Sequence, residues 1–176
     1  MKIVRECSDF LRDSEGHPLV KFLPKEGPDS RKIKVRKRKS SSKFDESFNK
    51  VFITHPNLRQ RCVFANGQRG LNSIMESADD TLEAFYIFPI NGFQFIYSPN
   101  VYISSVQYRE TLEMFVEVMG CGDAIAAFSE VLKYDYISTK FAEGLILGSE
   151  MILYGFPHYY AIKKSTINSY STLFSL

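Results

Sequence analysis

The chain has 176 residues, 44% of them hydrophobic and 14% aromatic, which excludes wholesale disorder and suffices for one ordinary core. Its formal net charge of +2 conceals an uneven distribution, because residues 31–39 hold seven of the 22 basic residues and no acidic residue. No apolar run reaches the roughly 18 residues of a membrane-spanning helix, and the first residues lack the apolar block of a signal peptide. We therefore expect a single domain that does not enter a membrane.

The cysteines indicate a reducing compartment. Cys7, Cys62 and Cys121 are odd in number, lie far apart and form no C-x-x-C pair, so neither a disulfide framework nor a structural zinc site is expected. The three histidines show no H-x-x-x-H spacing, and no metal site is predicted. We expect the protein to act in the cytoplasm, which would be the host cytoplasm if the chain is viral.

The first part of the chain divides at the basic segment. Residues 1–30 are polar and interrupted by five glycine and proline residues, which indicates an irregular N-terminal arm or an edge strand. Residues 31–39 then alternate, with Ile33 and Val35 on one side and basic side chains on the other, as in a half-buried strand. We predict the domain proper over residues 31–164 and a Ser/Thr-rich tail over residues 165–176.

Helical spacing of apolar residues marks four segments. Ser42 and Asp45 form a capping signature at the start of the first, which predicts a helix over residues 43–54. Three more helices are predicted between the two β-rich parts of the chain, and each is bounded by glycine, serine or charged residues. The first of these three is capped by Ser104 or Ser105 and carries an apolar stripe from Tyr108 to Met119, and the other two cover residues 123–133 and 138–147.

Short β-branched and aromatic runs predict the strands. Residues 61–64 form one run, and residues 85–88 and 93–97 form two more, which the turn-forming Pro-Ile-Asn-Gly joins as adjacent strands. Residues 151–154 and 158–162 predict a closing β pair after the helices. Strands on both sides of a helical middle, without a βαβ rhythm, predict an α+β fold with mixed or antiparallel strands.

Two features of the sequence are candidates for function. The basic residues 31–39 could bind the phosphates of nucleic acid or of a dinucleotide, or could serve as a charged edge strand that discourages aggregation. The segment contains no aromatic residue, which weakens the case for single-stranded nucleic acid. Glu150 heads an apolar strand and could hold a substrate hydroxyl or stabilise a developing cation, or could be a solvated strand-entry residue.

The last segment resembles the C-terminal motif of the ADP-ribosyltransferase fold. In that family a glutamate heads a strand, and a short turn leads into an aromatic-rich strand. Glu150-Met-Ile-Leu-Tyr, Gly155-Phe-Pro and His158-Tyr-Tyr-Ala-Ile follow this order. The family's middle strand would correspond to Cys62-Val-Phe-Ala-Asn-Gly. The chain is also similar to small uncharacterised phage-type proteins.

The resemblance implies a chemistry in which NAD is the substrate. Arg36 or Arg38 would be the family's early arginine and would pair with the pyrophosphate of NAD. Phe64, or an aromatic residue from Phe85–Phe95, would stack on nicotinamide, and Asn66 would lie near its ribose. Glu150 would hold the ribose 2′-hydroxyl and stabilise the oxocarbenium-like transition state as nicotinamide leaves. The acceptor of ADP-ribose could be a protein, a nucleic acid or a small molecule.

The sequence departs from the family in two places. Cys62, Ala65 and Asn66 stand where the family has Ser-Thr-Ser, so the domain is expected to be either active or degenerate. Gly148 replaces an acidic or amide residue of arginine-modifying members, so transfer to arginine is not expected. The alternative function is a non-enzymatic accessory protein that binds nucleic acid or a protein partner, such as a host protein, through residues 31–39. A third is a structural or inhibitory protein of viral type.

Overall fold

The computed structural model describes residues 2–37, 43–52, 58–70, 79–101 and 104–167. These residues form six α-helices, seven β-strands and three 3-10 turns. The helices are α1 (Lys2–Glu6), α2 (Ser8–Asp13), α3 (Lys43–Val51), α4 (Ser104–Met119), α5 (Cys121–Asp135) and α6 (Phe141–Leu147). The strands are β1 (Leu19–Pro24), β2 (Ser30–Lys34), β3 (Val63–Gly67), β4 (Leu82–Pro89), β5 (Gln94–Tyr97), β6 (Glu150–Tyr154) and β7 (His158–Lys163). The 3-10 turns are Leu58–Gln60, Gln68–Gly70 and Lys164–Thr166.

All seven strands belong to one sheet, in the order β2-β7-β4-β1-β3-β6-β5. Every neighbouring pair is antiparallel. The predicted α+β class with antiparallel strands is therefore confirmed, and the four predicted helical segments correspond to α3, α4, α5 and α6. The proposed cap Ser42 lies outside the described residues, as do residues 168–176 of the predicted tail. In the described part of the chain, no helix is both long and apolar enough to span a bilayer.

The N-terminal residues contribute to the middle of the sheet. They were predicted to form an irregular arm or an edge strand, but they contain α1, α2 and β1, and β1 pairs with both β3 and β4. Leu19 and Val20 of β1 are almost completely buried. The prolines that suggested an arm stand at the ends of the strand, since Pro24 is its last residue, where proline does not interrupt a ladder.

The predicted partners of two strand pairs are wrong. β4 and β5 are not adjacent, because β1 and β7 occupy both edges of β4, and β5 pairs with β6 instead. The turn between them is bound to the end of α1, because the backbone N of Asn91 donates a hydrogen bond to the backbone O of Glu6 at 2.7 Å. β6 and β7 are likewise not paired with each other, because β7 lies between β2 and β4.

Two apolar cores cover the two faces of the sheet around β6. The first core packs α2 and α6 against Met151 and Leu153, and the second packs α3, α4 and α5 against Ile152. Met151, Ile152 and Leu153 all have an exposure of 0%. Because side chains alternate along a strand, Glu150 lies on the face of Ile152, towards α3, α4 and α5.

Candidate functional site

Glu150 and Asn66 lie directly opposite each other. Glu150 is the first residue of β6, and the pairing of β3 with β6 places Asn66 across from it. Residues opposite in an antiparallel pair project from the same face of the sheet. Both are nearly buried, with exposures of 9% for Glu150 and 7% for Asn66. The structure thus brings together two predicted site residues that are far apart in the sequence.

Other polar groups surround Glu150 on this face. The Tyr108 hydroxyl donates a hydrogen bond to Asp135 Oδ2, and the Ser98 hydroxyl also bonds the Tyr108 oxygen. The backbone N of Glu150 donates to the Val101 O at 3.0 Å, which fixes the start of β6 next to Ser98. We refer to Asn66, Ser98, Tyr108, Asp135 and Glu150 as the Glu150 cluster.

The Glu150 cluster keeps Tyr108 protonated. Burial raises the pKa of Tyr108, and the hydrogen bond to Asp135 and the charges of Asp135 and Glu150 raise it further. A buried phenol that is bonded to one carboxylate and feels the charge of a second loses its proton only at a high energetic cost, because ionisation would add a third negative charge. Tyr108 is therefore a hydrogen-bond donor at neutral pH, in a site that also holds carboxylate and amide groups.

The ring of Phe64 packs against the guanidinium of Arg59. Phe64 lies opposite Ile152, on the face of Asn66 and Glu150, and the Arg59 guanidinium carbon is 4.7 Å from its ring centroid. The same guanidinium lies 4.8 Å from the ring of Phe48, and Arg59 Nε is 3.0 Å from Asp45 Oδ1. The predicted nicotinamide-stacking ring is thus already stacked against a buried arginine.

Sequence reasoning did not identify Arg59 as a site residue. It is 5% exposed and lies in the 3-10 turn Leu58–Gln60, where no helical or strand periodicity separates buried from exposed positions. An arginine next to a leucine in a polar stretch carries no sequence signal of burial. Only the folded chain places its guanidinium between Phe48 and Phe64.

The predicted pyrophosphate-binding arginines are not placed beside Glu150 by strand pairing. Arg36 lies two residues beyond the end of β2, which is an edge strand, and its side chain is exposed. The strands β7, β4, β1 and β3 separate β2 from β6. Arg38 lies outside the described residues.

Two cations of the basic segment bind within the protein. Arg31 donates from Nε to the Pro28 O at 2.7 Å and from Nη2 to the Pro24 O at 2.9 Å, and it covers the ring of Phe85. Lys32 Nζ lies 3.4 Å from Glu6 Oε2 and over the ring of Tyr160. These contacts fasten β2 to the rest of the fold.

The remaining described cations of the segment face solvent. Lys34, Arg36 and Lys37 are exposed, and no ion pair joins them to a residue in the described ranges. An open groove of about 770 Å³ runs along β2. It is lined by Pro28, by all residues of β2 and by Arg36, which lies beyond the end of the strand. The predicted basic strand is confirmed over Ser30–Lys34, and the residues that follow Lys34 extend beyond its end.

The three cysteines differ in burial. Burial raises the pKa of the Cys7 thiol to about 12, so it is protonated and unreactive at neutral pH. Cys62 is also buried, whereas Cys121 is exposed. No group of three or more histidine, cysteine, aspartate or glutamate side chains is arranged as a metal site within these ranges.

Comparison of the chain with protein-family models, with curated proteins and with solved structures gave no match. The function is therefore argued from the geometry of the Glu150 cluster and of the basic edge strand.

Proposed function

We propose that this protein is an ADP-ribosyltransferase-like domain in which Glu150 orients the ribose of NAD. The observation that supports the proposal is the position of Asn66 opposite Glu150, on one face of neighbouring strands. Glu150 was predicted from its place at the head of an apolar strand and from the resemblance, and Asn66 from the resemblance; the two residues are more than 80 positions apart in the chain. Their proximity is what a shared ribose site requires.

The burial of Glu150 suits the proposed chemistry. A carboxylate in a low-dielectric site interacts more strongly with a developing positive charge than the same group in water. In the proposed reaction the bond between ribose and nicotinamide breaks, nicotinamide leaves with the electron pair, and the acceptor bonds to the ribose and loses a proton. Glu150 would accept a hydrogen bond from the 2′-hydroxyl throughout this step.

In this proposal, the Glu150 cluster would contact the ribose end of NAD. Asn66 offers an amide donor and acceptor, and Tyr108 and Ser98 offer hydroxyl groups beside the carboxylate of Glu150. The pyrophosphate end has no assigned residue in the described part of the chain, because Arg36 follows an edge strand far along the sheet order. The proposal therefore rests on Glu150 and Asn66.

The test is the loss of NAD cleavage in Glu150→Gln. This change keeps the size of the side chain and one acceptor oxygen but replaces the other oxygen by an NH2 donor and removes the charge, so cleavage should fall by about a hundredfold or more. Glu113→Gln, on the exposed side of α4, is the matched control and should behave as the unmodified protein. Retained folding with unchanged release of nicotinamide in Glu150→Gln would refute the role of Glu150.

The second candidate is a non-enzymatic binding protein that recruits a polyanionic partner. The observation that favours it is the exposure of Lys34, Arg36 and Lys37 without an acidic partner in the described ranges. Binding through such charges weakens steeply as the salt concentration rises, because dissolved ions screen the charges and less free energy is gained from the release of counterions. Affinity that does not change with salt would count against this function.

A further inference from the structure

We propose that the outer edge of β2 binds an extended acidic segment of a protein partner as an added β-strand. The inference deepens the second candidate function and rests on it, since it names the class of partner and the mode of binding. It does not depend on the Glu150 cluster.

The outer edge of β2 has backbone donors and acceptors that no strand of the described ranges pairs with. Lys163 N donates to the Asp29 O at 2.7 Å, and Val35 N donates to the Pro157 O at 2.8 Å. Hydrogen-bonded residues alternate along an antiparallel strand, so the odd-numbered residues of β2 bond to β7. The N–H and C=O groups of Ser30, Lys32 and Lys34 therefore point away from β7. No strand in the described ranges covers that side of β2.

The charge of this edge selects an acidic partner. Lys34 and Arg36 are exposed along the groove, and a second copy of the same basic strand would be repelled from them. An acidic strand would place its carboxylates beside these cations while its backbone bonds to β2. Strand addition obtains affinity from the main chain and specificity from alternate side chains.

The groove favours a polypeptide over a nucleic acid. Its lining contains the half-buried Ile33 between Lys32 and Lys34, and none of the described residues that line it is aromatic. Single-stranded nucleic acid is held largely by the stacking of bases on aromatic side chains, which this groove does not offer. An extended peptide with alternating acidic and apolar residues matches the alternation of β2.

Amide hydrogen exchange of the full chain tests the proposal. In the free protein, the amides of Ser30, Lys32 and Lys34 should exchange faster than those of Arg31 and Ile33. A synthetic peptide of alternating glutamate and valine should slow the three fast amides by about tenfold or more and leave the other two unchanged. A peptide of equal charge with proline at alternate positions is the control, because it cannot form the ladder, and it should slow none of them.

Two substitutions at Lys34 distinguish the contribution of its side-chain charge to peptide binding from the contribution of its backbone N–H. Lys34→Ala and Lys34→Pro both remove the charge, but only Lys34→Pro removes the outward N–H, and neither removes a hydrogen bond to β7. We expect Lys34→Pro to bind the glutamate–valine peptide about tenfold more weakly than Lys34→Ala. Unchanged exchange of Arg31 and Ile33 checks that the strand is intact in both variants.

The outcomes distinguish this inference from the function on which it rests. Equal binding by the two Lys34 variants, or peptide binding that leaves all β2 amides unprotected, would overturn strand addition while retaining electrostatic recruitment. Salt-sensitive binding of an oligothymidylate without binding of the peptide would also overturn it in favour of nucleic acid. Binding of neither probe would refute both the inference and the second candidate function.

Discussion

Gly67→Ala tests the packing that places the Glu150 cluster. A Cβ atom built on Gly67 would lie 2.0 Å from the backbone O of Leu145, and 2.7 Å and 2.8 Å from its C and Cα. These are backbone atoms of α6, so no side chain can move aside to make room. Either α6 or the end of β3 must shift by more than 1 Å to restore ordinary contact distances of about 3.5 Å.

The expected cost follows from two opposing contributions. Overpacking in a core costs about 1–3 kcal/mol, and the contact here is at its severe end because backbone atoms collide. Replacing a glycine by alanine lowers the conformational entropy of the unfolded chain, which stabilises the folded protein by only about 0.4–1 kcal/mol. We therefore expect Gly67→Ala to destabilise the protein by about 2 kcal/mol, which lowers the melting temperature by about 4–8 °C for a chain of this size.

A matched control comes from the same chain. Gly122, near the start of α5, has no atom within 4 Å of its built Cβ and no left-handed φ. Gly122→Ala should leave stability unchanged or raise it by up to about 1 kcal/mol, because alanine favours the helix. Urea or thermal unfolding of both variants measures the difference. Equal stability of Gly67→Ala and Gly122→Ala would show that α6 does not pack on Gly67 as described.

Two further predictions concern buried charge and pH. Asp45→Ala should destabilise the protein by about 1–3 kcal/mol in urea unfolding, because it removes the carboxylate 3.0 Å from the buried Arg59 guanidinium. Unchanged stability would contradict a contribution of this ion pair. Burial raises the pKa of Tyr159 to about 12, against about 10 in the unfolded chain. The burial of the neutral phenol therefore contributes fully to the free energy of unfolding below about pH 10, and this contribution is lost as the pH rises to about 12. Tyr159→Phe should flatten this alkaline loss in pH-dependent unfolding, and an unchanged slope would contradict it.

The elements that the sequence predicts well are those with a local signature. Helices α4 and α5 follow from apolar spacing and from the glycines between them, and Gly120 has the positive φ of 80° expected at such a break. Glu150 at the head of β6 also follows from a local pattern, namely an apolar run after Gly148-Ser149. Information within about ten residues suffices for such features.

The features that sequence reasoning missed depend on distant partners. The turn between β4 and β5 has the residue types that are typical of a hairpin turn. However, β1 and β7 pair with the two edges of β4, so β5 cannot pair with it. The short run at Leu19 and Val20 looks peripheral until β3 and β4 enclose it. The burial of Arg59 likewise depends on Phe48 and Phe64, which lie on different elements. No local pattern records these choices.

The order of strands also determines when the sheet can form. β7 is the last of the described strands along the chain, yet it lies between β2 and β4, with Tyr160 opposite both Lys32 and Phe88. During synthesis both of those strands must wait, with unpaired edges, until β7 has emerged from the ribosome. Such long-range pairing predicts slow folding and an aggregation-prone nascent chain. The charges of β2 would then oppose edge-to-edge association most before β7 has been made, when none of the described strands pairs with β2.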